Sequence, residues 1–225
     1  MNLKNLKFPT TRSNQGLGNN KKYIESGVEQ INYLIDNKFL NSDSTFLDFG
    51  CGQGRIANTL EYLKIQLTYI GIDTSHKSIK WCNENLKYNN SYSFIHLPAH
   101  NARYNKTAKK LQSLPLENKS VDVVFLNSVF SHMLQNDIKF YLNEFYKILN
   151  DKGFVYFTAF VEESVPDVEE NPNNYLEKSS GRLHRVRYNK NFVEKLISDA
   201  GFTVEKFIHR GIKRTSQSVY VIKKS

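Results

Sequence analysis

Hydrophobic and polar positions follow two different periods along the chain, and the two periods alternate. Apolar residues recur every three or four positions in four segments, which predicts amphipathic helices at 22–37, 75–88, 136–149 and 191–200. A fifth helix is predicted between a glycine-rich turn and Leu63. Short apolar runs rich in β-branched and aromatic residues predict strands at 45–49, 67–73, 92–97, 120–127, 154–160, 202–209 and 216–222.

This alternation of strands and helices predicts a doubly wound, Rossmann-like α/β sheet. The last helix is followed by two strands with no helix between them, so the final strand is expected to run antiparallel to the others. We expect the whole chain, 1–225, to form one domain. Residues 1–21 are predicted to form an N-terminal arm or lid. The long connection 161–188 is predicted to be a substrate-binding insertion, because specificity usually lies on such loops.

The composition is that of a globular protein with a sizeable core. The chain has 225 residues, of which 40% are hydrophobic, and no run of apolar residues is long enough to span a membrane. The first nine residues lack the apolar centre of a signal peptide. Cys51 and Cys82 lack the spacing of metal ligands, and no C-x-x-C or H-E-x-x-H pattern occurs. We therefore expect a cytoplasmic protein with reduced thiols and no bound metal.

The charge of the chain is positive and unevenly distributed. The formal net charge is +9, and basic residues without intervening acids precede Glu25 and follow Glu205. Basic ends favour an anionic partner, such as nucleic acid, a nucleotide-linked sugar, a phosphorylated glycan or a membrane surface. A solvated, lysine-rich surface is an equally good interpretation, and the sequence leaves both open.

The most informative segment is 45–55, which reads Thr-Phe-Leu-Asp-Phe-Gly-Cys-Gly-Gln-Gly-Arg. A strand, a turn with three glycines and a helix N-terminus follow one another, so a ligand can lie directly against the backbone. The spacing is G-x-G-x-G, and Arg55 stands where the dinucleotide pattern G-x-G-x-x-G has its third glycine, which argues against an NAD enzyme. Asp48 precedes the turn, and its carboxylate suits a ligand with an ammonium group.

A second acid follows the next predicted strand. Asp73 ends the run 67–73 about twenty residues after the glycine turn, where a neighbouring strand places a carboxylate against the hydroxyls of a ribose. The alternative is that Asp73 only caps the helix that starts near Ser75. Thr74 and Ser75 are good capping residues by themselves, so we favour the ribose role.

These two segments resemble motifs I and II of the class I S-adenosylmethionine (SAM)-dependent methyltransferases, whose motif I reads hydrophobic-D-x-G-x-G-x-G. The resemblance covers nearly all of 22–225 and implies SAM as cofactor on a seven-stranded sheet with an antiparallel last strand. It also implies adenine contacts after the third strand and methionine contacts after the fourth. The implied cofactor-binding residues are Asp48, Gly50, Cys51, Gly52, Gln53, Gly54, Asp73, Thr74, Ser75, His100, Asn101, Ala102, Asn127 and Ser128.

The acceptor of the methyl group is less well defined by the sequence. Several segments, among them 81–86, 128–132 and 141–144, are similar to bacterial methyltransferases found beside sugar and surface-glycan biosynthesis. His132, just after the fourth strand, is the candidate general base, with an expected ionisation near pH 6–7. The alternative is a structural histidine. Other candidates are Glu162, Glu163 and Asp167 as base, metal ligands or solvated charges, and His184 and Arg185 as a grip on an anionic acceptor.

Three functions remain open at this stage. The resemblance favours O-methylation of a small molecule, a nucleotide sugar or a glycan. A nucleic-acid methyltransferase is the alternative that the positive charge supports, although no N-P-P-[YF] motif follows the fourth strand, where Asn127-Ser-Val-Phe stands. A catalytically inactive SAM-binding module is the third, and the intact Asp48, glycine turn and Asp73 argue against it.

Overall fold

The computed structural model describes residues 3–10, 18–86, 88, 90–108, 110–176 and 178–225. The chain divides into two compact units, Met1–Pro98 and Ala99–Ser225, which we call the N-terminal and C-terminal units. Of the predicted arm at 1–21, residues 1–2 and 11–17 lie outside the described residues, as do positions 87 and 89 near the end of the predicted helix 75–88. The single-domain organisation stays a prediction.

The N-terminal unit is built from alternating helices and parallel strands. Its elements, in chain order, are α1 (Asn20–Asp36), β1 (Thr45–Phe49), α2 (Arg55–Leu63), β2 (Thr68–Asp73), α3 (His76–Asn85) and β3 (Tyr92–His96). The strands lie in the order β3-β2-β1, and both pairs are parallel. Because the strands are parallel, the turns after β1 and β2 lie at the same edge of the sheet.

Local sequence explains where these helices begin and how closely they approach. The Asn19 side chain accepts a hydrogen bond from the backbone N–H of Lys22 at the start of α1, and Ser75 caps α3 in the same way. Gly27 lets α1 approach α2, because a Cβ there would lie 2.0 Å from the Oγ1 of Thr59. The Arg55 guanidinium also ties α2 to α1, since it donates to the side chain of Gln30 at 2.7 Å.

The C-terminal unit contains the remaining described elements. They are β4 (Val121–Leu126), a 3₁₀ helix (Phe130–His132), α4 (Gln135–Ile148), β5 (Leu149–Glu162), β6 (Val168–Glu170), β7 (Val186–Asn189), α5 (Lys190–Asp199), β8 (Phe202–Ile212) and β9 (Gln217–Lys224). β5 pairs in parallel with β4 and β7, whereas β9 runs antiparallel to both β5 and β8. The prediction that the last strand is antiparallel is confirmed.

Two features of the C-terminal unit differ from the sequence prediction. The connection 161–188 contains β6 and β7, which pair with each other antiparallel, and β7 also pairs with the end of β5. β6 has only three half-buried residues, two of them glutamates, so it lacks the apolar run that marks a strand. β5 starts five residues earlier than the predicted 154, at Leu149, because its pairing with β4 begins there and shifts register between Val121 and Val123.

Aromatic side chains dominate the interiors of both units. In the N-terminal unit, Tyr69 packs against Phe46, Tyr92 and Phe94, with ring centroids 5.1–6.2 Å apart. In the C-terminal unit, Phe125 stacks on Tyr156 and Phe157 stacks on Tyr220. Except for the half-buried Tyr92 and Phe94, these rings are fully buried, and buried aromatic rings contribute strongly to the stability of protein cores. Within the described residues, no helix is long and apolar enough to cross a membrane.

Candidate functional site

The glycine turn after β1 has the backbone conformation that the sequence predicted. Gly50, Gly52 and Gly54 have φ angles of 82°, 55° and 72°, which glycine adopts without the steric cost of a Cβ. The N–H groups of Gly50 and Cys51 donate to the carbonyl of Ile72 at 2.7 and 3.0 Å, so the turn is fastened to the end of β2. Gly54 is also a packing residue, because a Cβ there would lie 2.2 Å from a methyl carbon of Leu86.

Asp73 lies directly against this turn. One carboxylate oxygen accepts the backbone N–H of Gly52 at 2.8 Å, and the other accepts the N–H of Ser75 at 2.7 Å. Ser75 itself caps α3 through its hydroxyl, which accepts from Ser78, so the helix does not need Asp73 as its cap. Burial raises the pKa of Asp73, and the backbone N–H groups of Ser75 and Gly52 oppose this shift. Asp73 therefore joins the turns after β1 and β2.

Asp48 is a buried carboxylate with one oxygen already engaged. Its side chain is only 3% exposed, and its Oδ2 accepts a hydrogen bond from the hydroxyl of Tyr69 at 2.7 Å. Within the described part of the chain, Oδ1 has no hydrogen-bond donor. Burial raises the pKa of Asp48 to about 7, against the lowering effects of the Tyr69 hydroxyl and the Arg55 charge. A cationic group beside this buried carboxylate would stabilise its ionised form.

The two cysteines and Gln53 complete the surroundings of the turn. The Sγ atoms of Cys51 and Cys82 lie 3.7 and 3.6 Å from the carbonyl oxygen of Gly52, and burial raises the pKa of both thiols, so they are neutral at pH 7. The backbone carbonyl of Gln53 accepts the hydroxyl of Tyr23 on α1 at 3.1 Å. The buried Oε1 of Gln53 has no partner among the described residues, so the turn retains an unused hydrogen-bond acceptor.

In the C-terminal unit, the predicted adenine contacts lie in a self-bonded loop. The Asn101 amide oxygen accepts the backbone N–H groups of Arg103 and Tyr104 at 2.9 and 3.1 Å, and its nitrogen donates to the carbonyl of His132 at 3.0 Å. His100 bonds the carbonyl of Ala108 through Nδ1 at 2.7 Å. Ala102 is half-buried and lies in the turn that follows Asn101. These bonds occupy the Asn101 amide oxygen twice and one of the N–H groups of its nitrogen. The contact of Asn101 with adenine stays a prediction.

His132 is held by the predicted insertion. Its Nδ1 lies 2.9 Å from the carbonyl oxygen of Leu183, and the edge of its ring meets Tyr104 at a centroid distance of 5.4 Å. Burial, together with the smaller effects of the Arg103 and His184 charges, lowers the pKa of His132 to about 4, and the hydrogen bond with the Leu183 carbonyl opposes this shift. The expected ionisation near pH 6–7 is therefore wrong. The contacts favour the structural alternative, while the catalytic role stays a prediction.

The residues after β4 are fixed by a three-membered hydrogen-bond ring. Ser128 has a φ of 59°, an unusual conformation for a residue with a side chain. Its N–H donates to the Thr158 hydroxyl at 2.8 Å, and this hydroxyl donates to Gln217 Oε1 at 2.6 Å. The Nε2 of Gln217 in turn donates to the Ser128 hydroxyl at 2.8 Å, which closes the ring. The ring links the segment just after β4 to β5 and β9. Asn127 is the half-buried residue just before it.

The acidic candidates of the insertion have structural partners. Glu162 accepts two hydrogen bonds from Arg210, at 3.0 and 2.8 Å, and one from the Tyr175 hydroxyl at 2.9 Å. Asp167 accepts the N–H of Asn189 through its backbone carbonyl, and Glu163 is exposed. In the part of the chain that the structure describes, no group of three His, Cys, Asp or Glu residues is arranged to hold a metal ion.

The basic candidates lie in the segment that contacts His132. His184 accepts the backbone N–H of Ser180 through Nδ1 at 2.8 Å. Arg185 is buried and donates to Ser179 at 3.3 Å, and Arg103 donates to the carbonyl of Ser180 at 3.2 Å. The first two bonds lie within segment 179–185, and the Arg103 bond fastens this segment to the loop after Ala99.

Sequence reasoning missed Tyr69, the hydrogen-bond donor to Asp48. The period of the strand places Tyr69 on the same face as Gly71 and Asp73. Its contact with Asp48, however, depends on the register in which Asp48 lies opposite Gly71, and the sequence does not give this register. Thr158 was missed for the same reason, because its partners lie on two other strands.

Comparison with known proteins agrees with this arrangement. Residues 47–157, just under half of the chain, match the family model of a methyltransferase domain. This segment begins in β1 before the glycine turn and extends into β5. The match supports a SAM-dependent methyltransferase, and a methyltransferase domain implies SAM as its cofactor.

Solved structures show the same α/β Rossmann-like methyltransferase fold. The PH0226 protein from Pyrococcus horikoshii OT3 is 20% identical, with a TM-score of 0.63 over 97% of this chain and 100% of that one. The 1,6-didemethyltoxoflavin-N1-methyltransferase of Burkholderia thailandensis, bound to S-adenosylhomocysteine (SAH), is 14% identical, with a TM-score of 0.62 over 92% and 80%. The magnesium protoporphyrin IX methyltransferase of Synechocystis PCC 6803, bound to SAM, is 14% identical, with a TM-score of 0.58 over 95% and 86%.

The residues of the N-terminal unit fit SAM. The cofactor carries an ammonium group, a carboxylate, a sulfonium and a ribose diol. Asp48 offers an open carboxylate oxygen in a buried position, and the glycine turn offers exposed backbone at Gly50. Asp73 accepts one hydrogen bond at each oxygen, which leaves lone pairs for two hydroxyl groups. This donor and acceptor set matches a cationic nucleoside better than a pyrophosphate.

Proposed function

We propose that the protein is a SAM-dependent O-methyltransferase that acts on a small molecule, a nucleotide sugar or a glycan. The observation that carries the proposal is the pairing of a buried, open carboxylate, Asp48, with the glycine turn and Asp73 at one edge of the N-terminal sheet. SAM, when bound, supplies an electrophilic methyl group on sulfur.

Each residue has a defined task in this proposal. Asp48 pairs with the ammonium group through Oδ1, and the turn from Gly50 to Gly54 accommodates the methionine portion against its backbone. Asp73 accepts hydrogen bonds from the ribose, next to Thr74 and Ser75. His100, Asn101, Ala102, Asn127 and Ser128 are proposed as further cofactor contacts, as the sequence predicted.

The protein contributes mainly by positioning the reactants and excluding water. A residue with a pKa of about 4 is a weak base, so His132 is a poor group to deprotonate an ordinary sugar hydroxyl. Glu162 is neutralised by Arg210. The candidate bases therefore favour an acceptor oxygen that is already ionised near neutral pH, such as a carboxylate, including that of an acidic sugar, or a phenol made acidic by electron-withdrawing groups. The basic residues His184 and Arg185 suit such an anion.

A methyl-transfer assay with an acceptor panel tests this proposal. The panel contains uronic acids and their nucleotide conjugates, phenols, neutral sugars and RNA, each incubated with SAM carrying a labelled methyl group. Label on a carboxylate or phenol oxygen supports the proposal. Label only on RNA supports the nucleic-acid alternative, for which the +9 net charge is the favouring observation. Binding of SAH without transfer to any acceptor supports the inactive module.

A further inference from the structure

Tyr69 is placed to control the charge and orientation of Asp48. Its side chain is fully buried, and its hydroxyl donates to Asp48 Oδ2 at 2.7 Å. The ring packs between Phe46 of β1 on one side and Tyr92 and Phe94 of β3 on the other. Gly71, opposite Asp48 in the strand register, leaves space for this arrangement, because a Cβ there would lie 3.1 Å from the Tyr69 ring. The hydroxyl therefore has one fixed direction.

The other ionisable groups near Asp48 come from four parts of the N-terminal unit. Arg55, at the start of α2, favours the charged carboxylate, whereas Asp73 at the end of β2 opposes it. The thiols of Cys51 in the turn and Cys82 on α3 also face Asp48 and are neutral near pH 7. The Tyr69 hydroxyl, by comparison, donates a hydrogen bond directly to the Asp48 carboxylate.

We propose that Tyr69 is a positioning residue, whose hydroxyl occupies Oδ2 of Asp48, favours the ionised carboxylate and leaves Oδ1 for the ammonium group of the cofactor. This inference rests on the proposed function. It adds that cofactor affinity depends on a buried phenol that does not itself contact the ligand. A hydrogen bond to one carboxylate oxygen stabilises the charged form and leaves the lone pairs of the other oxygen for a cation.

The consequence is a defined pH dependence of binding. Only ionised Asp48 attracts an ammonium group, so the affinity for SAH rises with pH through the ionisation of Asp48, near pH 7. Removing the Tyr69 hydroxyl destabilises the carboxylate and moves this ionisation to higher pH. The loss of one hydrogen bond to a charged group corresponds to an increase of about one to two units in the pKa of Asp48. Affinity near pH 7 then falls about tenfold and recovers towards pH 9.

The test is calorimetric titration of SAH between about pH 5.5 and about pH 9, where the unperturbed acids and lysines of the protein change little. The proteins are wild type, Tyr69→Phe and Tyr92→Phe. Tyr92 belongs to the same aromatic cluster and does not bond Asp48, so its variant is the matched control. 5′-Methylthioadenosine, which keeps the nucleoside and lacks the ammonium group, is titrated in parallel.

The proposal expects an upward shift of the pH midpoint for SAH in Tyr69→Phe, no shift in Tyr92→Phe, and no such midpoint for 5′-methylthioadenosine. An unchanged midpoint, or an equal loss of affinity at every pH, overturns it while the proposed function stands. Wild-type protein that binds no SAH overturns the proposed function itself. If Tyr69→Phe does not fold, the wild-type and Asp48→Asn profiles decide: a midpoint that persists in Asp48→Asn contradicts the role of this carboxylate.

Discussion

Asp73 is the residue on which the proposed cofactor site most depends. Replacing it by alanine removes the proposed charged acceptor for two ribose hydroxyls and also releases the N–H groups of Gly52 and Ser75. We expect Asp73→Ala to weaken SAH binding by about 2–4 kcal/mol, since bonds to charged groups contribute about 1.5–3 kcal/mol each and do not add fully. Calorimetry measures the loss, and Asp73→Asn controls for side-chain shape. Unchanged affinity would contradict the ribose assignment.

The lowered pKa of His132 predicts that the stability of the protein depends on pH. Its pKa is lower in the fold than the usual value of about 6.5, so the unfolded chain binds the proton more readily. The free energy of unfolding should therefore decrease as the pH falls from about 6.5 to about 4, by up to about 3 kcal/mol from this residue. Urea denaturation of wild type and His132→Gln at pH 7 and near pH 4.5 measures it. The variant should lose less stability between the two pH values than wild type does.

At the scale of elements, the contact between α1 and α2 depends on a single glycine. In Gly27→Ala the new Cβ would overlap the buried Thr59 hydroxyl, 2.0 Å away. Alanine gains about 1 kcal/mol of helix propensity, but overlap in a packed core costs about 1–3 kcal/mol, so we expect a net loss. Thermal unfolding measures it. Gly18→Ala, where a Cβ meets nothing within 4 Å, should be close to neutral. Equal melting temperatures of the two variants would contradict this account.

The ring formed by Ser128, Thr158 and Gln217 joins three strands of the C-terminal unit. Thr158→Val removes the hydroxyl and leaves the Ser128 N–H and the Gln217 Oε1 without their bonds. Leaving buried polar groups unsatisfied costs about 1–3 kcal/mol each, so we expect a loss of stability in that range. Urea denaturation measures it, and Thr203→Val, on the exposed face of β8, is the control. Thr158→Ser should restore most of the loss.

These elements also show what the sequence predicts and what it does not. The strand before Gly50 and the strand before Asp73 were predictable, because apolar runs, glycines and a terminal acid occur together. The Tyr69–Asp48 and Thr158–Gln217 bonds were not, because each depends on a strand register between segments far apart in the chain. The short, charged strand β6 was missed because its pairing with β7, rather than its own composition, stabilises it.

At the scale of the whole molecule, the fold says more about the function than the net charge does. The net charge of +9 does not distinguish an anionic small molecule from RNA. The fold and the family match at 47–157 define the methyl donor more sharply than the acceptor. We propose that the acceptor is selected by the insertion 161–188 and the loop after Ala99, where basic and aromatic side chains are clustered.

The most direct test of the central claim is calorimetric titration of wild type and Gly52→Val with SAH and with NAD. Gly52 has a φ of 55° and lies where the turn is proposed to meet the ligand, so a valine side chain there should abolish binding. The account predicts saturable binding of SAH by the wild type, none by a folded Gly52→Val, whose fold is checked by circular dichroism, and no binding of NAD. Normal SAH binding by folded Gly52→Val, or no SAH binding by the wild type, would contradict it.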